Sequence, residues 1–161
     1  ELSNDYGNLV QRVLSMLQKY KDGKIPSMTY PDKNDSLLID MPNFIFEKIQ
    51  VNMENYQFNL VLEDIWKIIR TCNGYVDKSQ PWTLFRDKDF IKLDNVLYIL
   101  INSIYKIAIL LQPFLPESSK KIFTLLKQKS EIKFFELSKN IKEGIILDKP
   151  HAIFPRFTKA Q

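Results

Sequence analysis

Residues Gln57–Trp82 read QFNLVLEDIWKIIRTCNGYVDKSQPW, and this stretch decides the fold class. Its apolar residues recur at intervals of three and four, the spacing that places side chains on one face of an α-helix. The residues on that face are Phe58, Val61, Leu62, Ile65, Ile69, Cys72 and Val76. The sequence therefore predicts a long amphipathic helix from about Gln57 to Ser79, with one side buried against other helices.

Pro81 ends this predicted helix. Proline has no backbone amide hydrogen, and it disfavours the helical conformation of Gln80 before it. Trp82, one of only two tryptophans, follows directly, so we expect it on a bend at the end of the helix. A tryptophan in that position either fills a gap between helices, which is the commoner use, or stacks on a bound group.

Helical spacing recurs along the chain and predicts four more main helices. The first covers about Leu2 to Lys21, the second follows Pro42, the fourth spans about Lys88 to Leu111, and the fifth follows the break before Pro116. Between the first two, several prolines and the cluster PDKNDS predict a long loop over residues 22–40, in which Leu37, Leu38 and Ile39 either anchor the loop or start the second helix.

After residue 128 the helical pattern weakens. The segment EIKFFELSKNI predicts a short helix, and KPHAIFPRF predicts an extended tail. With four glycines and 45% hydrophobic residues among 161, the chain favours helices around one core over a turn-rich β fold. The sequence therefore predicts an all-α helical bundle of about five main helices, forming one domain over residues 1–161.

The residue types needed for catalysis or metal binding are scarce. The chain has one cysteine, Cys72, and one histidine, His151, so it cannot assemble an internal disulfide, a zinc site or a Ser-His-Asp arrangement. A glycine-rich phosphate loop is also absent, and the acidic residues are scattered. We expect no catalytic residue, no metal and no cofactor in this chain, with Cys72 as a buried thiol and His151 at a surface or interface.

Two features indicate the compartment. The N-terminal residues ELSNDYGN lack the apolar segment of a signal peptide. The most apolar run, Val96–Leu111, is shorter than a membrane span and contains Asn102 and Lys106, so it predicts a buried central helix. We therefore expect a cytoplasmic protein without a membrane partner. Its net charge of +4 and pI near 9.0 suit nucleic acid without requiring it.

Asn4, Asn8 and Arg12 recur every four residues along the first predicted helix, so they share one face. A polar line of this kind is usually a solvated face. It also holds groups that bind RNA, since Asn and Arg can hydrogen-bond to base edges while an aromatic ring such as Trp82 stacks on a base. The residues alone leave both interpretations open.

Four segments, taken in order, resemble those of one protein family. They are SNDYGNLVQRVLSM (Ser3–Met16), NGYVDKSQPW (Asn73–Trp82), LQPFLPESSKKIF (Leu111–Phe123) and IFPRF (Ile153–Phe157). At these separations they resemble the anticodon-binding domain of bacterial-type methionyl-tRNA synthetases. The first segment also resembles other class I synthetases, whereas its combination with Tyr75, Pro81 and Trp82 is typical of the methionine enzyme.

The resemblance implies roles for five residues. In this family, the residues that match Asn8 and Arg12 contact bases of the CAU anticodon, and the match to Trp82 stacks on an anticodon base. Pro81 would fix the approach of Trp82, and Asn4 would add a polar contact one turn before Asn8. The implied partner is a tRNA with a CAU anticodon.

The resemblance also implies a larger enzyme. Methionine–tRNA ligases attach methionine to tRNA using ATP, in a Rossmann catalytic domain whose His-Ile-Gly-His and Lys-Met-Ser-Lys-Ser motifs this sequence lacks. ATP and methionine would bind that domain, which would be a second partner of this chain. No dimerisation extension is recognised, so we expect a monomer.

Two alternatives stand beside this reading. One is the equivalent domain of the isoleucine, valine, leucine or cysteine enzyme. The other is a helical protein-interaction module without an RNA role, which would leave Asn8, Arg12 and Trp82 scattered in space.

Overall fold

The computed structural model describes residues 2–130 and 132–150, and its elements are helical. In chain order these are α1 (Leu2–Lys21), α2 (Lys33–Glu54), α3 (Phe58–Ser79), α4 (Pro81–Arg86), α5 (Phe90–Leu111), α6 (Pro116–Leu125) and a 3₁₀ helix (Phe134–Ser138). Five long helices confirm the predicted all-α bundle, and the 3₁₀ helix lies where a short helix was expected. His151 and the tail segment Ile153–Phe157 lie outside the described residues.

Helix α5 is the centre of the bundle. It contacts all five other α-helices and the 3₁₀ helix. By length and composition α5 could cross a membrane, but 89% of its most apolar window is buried within the bundle. A helix that is apolar nearly all round is stable in water only when other helices cover it. The predicted buried central helix is therefore confirmed.

Two asparagines of α5 fasten other parts of the chain to it. Asn95 Oδ1 accepts a hydrogen bond from the amide of Thr29 at 2.8 Å, and Asn95 Nδ2 donates to the carbonyl of Thr29. Asn102 Oδ1 accepts from the amide of Ile141 at 2.7 Å. Both asparagines are buried, and these bonds satisfy backbone groups that would otherwise be desolvated without a partner.

The predicted start of the second helix was wrong. Helix α2 begins at Lys33, and Pro42 lies inside it rather than before it. The cause is a capping box: Asp32 Oδ1 accepts from the amide of Asp35 at 3.0 Å, while Asp35 Oδ2 accepts from the amide of Asp32 at 2.9 Å. The cluster that suggested a loop therefore starts the helix, and packing of α2 on α3 and α5 carries it past Pro42.

Residues 23–25 pair with residues 144–147, and we call this pairing the clasp. The amide of Ile25 donates to the carbonyl of Ile145 at 2.9 Å, and the amide of Leu147 donates to the carbonyl of Gly23 at 2.8 Å. Gly23 has φ of +81°, and a Cβ atom there would lie 2.5 Å from the carbonyl oxygen of Leu147. The clasp therefore requires glycine at this position.

Candidate nucleic-acid interface

The junction between α3 and α4 presents Trp82. Gln80 adopts the left-handed conformation, with φ 48° and ψ 66°, and so ends α3 where Pro81 was expected to end it. Pro81 is buried as the first residue of α4, a position that needs no amide hydrogen. The sequence predicted the bend but missed α4. A proline directly after a helix end is also a helix-start signal, and it was the one that could have revealed α4.

Trp82 is 44% exposed, so almost half of its surface is available for a stacking contact. Its indole N–H has no hydrogen-bond partner within the described part of the chain. The other tryptophan differs, because Trp66 Nε1 donates to Asp5 Oδ2 at 2.9 Å and the Arg70 guanidinium lies 5.7 Å from the Trp66 ring centroid. Trp66 therefore fastens α3 to α1, and Trp82 is the tryptophan with a free polar edge.

Asn4 and Asn8 lie on the exposed side of α1. Neither amide side chain bonds to another described residue, so both keep a donor and an acceptor for a ligand. The opposite side of α1 is buried in the core through Tyr6, Leu9, Val13 and others. The predicted division of α1 into an apolar face and a polar line is thus present in the structure.

Arg12 joins the polar line to the end of α3. Its Nη2 atom lies 2.6 Å from Asp77 Oδ1, and the side chains are 37% and 66% exposed. Asp77 precedes Trp82 by five residues, so their Cα atoms are at most about 18 Å apart. The ion pair therefore places Arg12 beside the part of α3 that leads into α4 and Trp82.

Tyr75, which contributed to the resemblance, lies in the interior. It is 7% exposed, and its hydroxyl donates to Asp35 Oδ1 at 2.6 Å, the carboxylate of the α2 capping box. Burial raises the pKa of Tyr75 well above its ordinary value, and the bond to Asp35 adds to that effect. Tyr75 thus supports the start of α2 beside the candidate site, with no surface left for contact with a base.

The single cysteine of the chain lies in the core. Cys72 is fully buried, as predicted, and burial raises the pKa of its thiol to about 12, so the nucleophilic thiolate is suppressed. Within residues 2–130 and 132–150, no group of three or more His, Cys, Asp or Glu side chains could hold a metal ion.

Comparisons with known proteins agree with this geometry. Residues 25–161 match the family model described as the anticodon binding domain of methionyl tRNA ligase. The chain is 35% identical over 159 residues to the methionine–tRNA ligase of Caldanaerobacter subterraneus, a match that covers 97% of this chain and 25% of the relative. It is 36% identical over 162 residues to that of Fusobacterium nucleatum, covering 97% and 26%.

Solved structures of relatives contain the same fold. The apo form of Mycobacterium tuberculosis methionyl-tRNA synthetase matches with a TM-score of 0.92 and 30% identity, over 98% of this chain and 33% of that chain. The same synthetase with methionyl-adenylate matches with a TM-score of 0.91 and 31% identity, over 97% and 31%. The chain spans about a quarter of the length of the curated relatives it matches.

Proposed function

Because the chain belongs to the family of anticodon-binding domains of methionyl-tRNA ligases, we propose that it binds the methionine tRNA and reads its CAU anticodon. The family model and the relatives named above are those of the methionine enzyme. They favour this function over the equivalent domain of the isoleucine, valine, leucine or cysteine enzyme. They equally disfavour a protein-interaction module without an RNA role.

The Arg12–Asp77 contact is the observation that carries the proposal. It joins the polar line of α1 to the helix end that presents Trp82. Unpaired RNA bases are read by stacking on an aromatic ring while polar groups bond to their edges. A site that combines both needs the two kinds of group near each other, and the contact of Arg12 with Asp77, five residues before Trp82, supports such an arrangement.

Each side chain has a distinct task in this proposal. The amide of Asn8 offers a donor beside an acceptor, which matches base edges with the complementary pair, whereas the guanidinium of Arg12 offers donors only. Trp82 stacks on one base, a contact worth about 1–3 kcal/mol. Pro81 is buried and fixes where the indole leaves the bundle, and Asn4 adds a polar group one turn from Asn8.

The remaining parts of the reaction belong to the rest of the ligase. We propose that ATP and methionine bind a catalytic domain outside this chain, and that this chain holds the tRNA while its acceptor end reaches that domain. This chain binds the anticodon as a monomer in the cytoplasm, where translation uses the charged tRNA.

Binding to an RNA stem-loop tests the proposal. The chain is titrated with a fluorescent stem-loop that carries CAU, and with one in which a single anticodon base is changed, at one low salt concentration because phosphate contacts weaken steeply with salt. We expect at least about a tenfold preference for CAU, since one lost base contact costs about 1–3 kcal/mol.

Two variants test whether the proposed site is the source of the preference for CAU. Trp82→Ala should abolish the preference with little change in melting temperature, because a base that no longer stacks is not held where Asn8 and Arg12 can reach its edge. Phe58→Ala is the matched control, because Phe58 is 43% exposed but lies at the opposite end of α3. Equal binding of both stem-loops by the unmodified chain would contradict the proposal. A loss of preference in Phe58→Ala as large as that in Trp82→Ala would contradict the assigned site.

A further inference from the structure

Aromatic side chains continue beyond Trp82 along the surface. Phe85 follows Trp82 by one turn of α4, so the two share a face of that helix. Tyr20 of α1 stacks on Phe85 with ring centroids 4.7 Å apart and planes at 29°. Phe90, the first residue of α5, meets Phe85 edge-on at 6.2 Å. We call Tyr20, Phe85 and Phe90 the aromatic row.

Two of the three rings in the aromatic row are exposed to solvent, while Tyr20 is partly buried against the core. Phe85 is 41% exposed and Phe90 is 47% exposed, and Ile91 beside them is 67% exposed. Three different helices converge to build it, so the rings hold one another in place. A contiguous apolar patch of this kind on a surface marks an interaction site more often than an accident of composition.

The charges around the row favour an anionic ligand. Lys19 Nζ lies 5.7 Å from the centroid of the Tyr20 ring, and Lys88 lies in the connection between α4 and α5. Neither lysine has an ion-pair partner among the described residues. Each carboxylate of that connection has a partner, since Asp87 Oδ1 lies 3.1 Å from Arg86 Nε and Asp89 accepts the amide of Lys92 as the cap of α5, although Asp89 keeps its negative charge.

Flat aromatic faces beside unpaired cations are the combination that binds single-stranded nucleic acid, in which a base stacks while its phosphate meets a lysine. The row adjoins Trp82 on α4 but lies away from Arg12. Arg12 and Tyr20 are eight residues apart on α1, which is a rise of about 12 Å, whereas stacked bases are about 3.4 Å apart. One base therefore cannot serve both places.

Resting on the proposed function, we propose that the aromatic row is a second stacking site, which binds an unpaired nucleotide of the anticodon loop outside the CAU triplet. It contributes affinity through a base face and a phosphate. Sequence at that nucleotide matters little, because every base offers a face to stack.

Abasic stem-loops test this inference. The CAU stem-loop is made with the base removed, one position at a time, at each unpaired nucleotide that flanks the triplet, and each RNA is titrated with the chain and with Phe85→Leu. Leucine keeps an apolar side chain but removes the aromatic face. We expect one abasic position to weaken binding about five- to tenfold, and Phe85→Leu to weaken binding of the intact loop by a similar factor.

The decisive result is the combination of the two changes. At the position that occupies the row, Phe85→Leu should weaken binding of the abasic loop no further, because the contact is already lost. Phe90→Leu should likewise weaken binding of the intact loop but not of the abasic loop. Phe58→Leu, at the far end of α3, should leave the affinities for both loops unchanged. The preference for CAU over a changed anticodon should persist in all three variants.

Each other outcome is informative. If Phe85→Leu and Phe90→Leu bind every loop as the unmodified chain does, or if their losses simply add to that of each abasic position, the inference is overturned while the CAU preference still stands. If the unmodified chain shows no CAU preference, the proposed function fails and the inference falls with it. Melting temperatures of the variants exclude unfolding as the cause.

Discussion

Arg12 and Asp77 meet across α1 and α3, with Nη2 of the guanidinium 2.6 Å from Oδ1 of the carboxylate. Both side chains are partly exposed, and an ion pair of this kind adds only about 0–1 kcal/mol to stability. The ion pair mainly fixes the position of Arg12, because Asp77 holds one edge of the guanidinium and leaves its other N–H groups pointing away from the carboxylate. Asp77 therefore acts as a positioning residue for Arg12.

Asp77→Asn separates positioning from stability. The free energy of unfolding in urea should change by less than about 1 kcal/mol. Removing a carboxylate next to the RNA should raise affinity for every stem-loop, and the freed Arg12 should bind correct and incorrect loops more equally. The ratio of the two dissociation constants, at fixed salt, checks this. An unchanged ratio would mean that Arg12 does not depend on Asp77 for selectivity.

Gly23→Ala should destabilise the protein by more than about 2 kcal/mol, since the left-handed conformation alone costs alanine about 1–2 kcal/mol and the added Cβ meets the carbonyl oxygen of Leu147 at 2.5 Å. Gly144→Ala is the control. Its φ of +82° is nearly the same, but open space surrounds it, so only the conformational cost remains. Urea denaturation of both variants isolates the clash. Equal losses of stability in the two variants would show that the clasp shifts to accept the added Cβ atom at little cost in free energy.

Asn102→Ala should cost about 1–3 kcal/mol, because it leaves the buried amide of Ile141 without its acceptor. Ser103→Ala is a neighbouring control on the same helix. The Ser103 hydroxyl donates to the carbonyl of Ile99 within α5, so its loss leaves no backbone amide unpaired. A larger effect from Ser103→Ala than from Asn102→Ala would refute the fastening role of Asn102.

Lys106 gives the stability a pH dependence. The residue is 4% exposed, and burial lowers the pKa of its ammonium, with the charge of Asp40 opposing the shift. The unfolded chain therefore holds this proton more tightly than the folded one, and stability rises with pH from the lowered pKa up to the ordinary lysine value. Below that window, the buried charge weakens the fold.

Lys106→Met removes that charge and keeps a long flexible side chain. The variant should be more stable than the unmodified protein at neutral pH, and the difference should shrink as the pH rises toward 10. Both proteins contain the same tyrosines, so comparing their stabilities at each pH removes the effect of tyrosine ionisation at high pH. A difference that stays constant across the range would show that Lys106 stays charged in the folded protein as it does in the unfolded chain, and would contradict the expected pH dependence.

Long helices could be predicted from the sequence, since α1, α3 and α5 each repeat an apolar stripe over many turns. Helix α2 was misplaced because Pro42 was taken as a boundary, whereas the capping box at Asp32 decides where the helix starts. Helix α4 has six residues, too few to show a period. Where a helix starts and where a short helix forms depend on single side chains, which the spacing of apolar residues does not reveal.

The candidate site was predictable in its residue types but not in its assembly. The polar line on α1 and the tryptophan after Pro81 are visible in the sequence. The ion pair between Arg12 and Asp77 joins residues 65 positions apart, and the stack of Tyr20 on Phe85 joins two helices. Such contacts arise from packing, and no local pattern encodes them.

The clasp also bears on the order of folding events. It joins Gly23 to Leu147, so its formation closes a loop that contains every helix except α1. Closing a loop of that length costs conformational entropy before the hydrogen bonds of the clasp can form. The clasp therefore forms after the helices have packed. Interactions that are absent from the transition state govern the unfolding rate. A weakened clasp should thus leave the refolding rate nearly unchanged and shorten the lifetime of the native state.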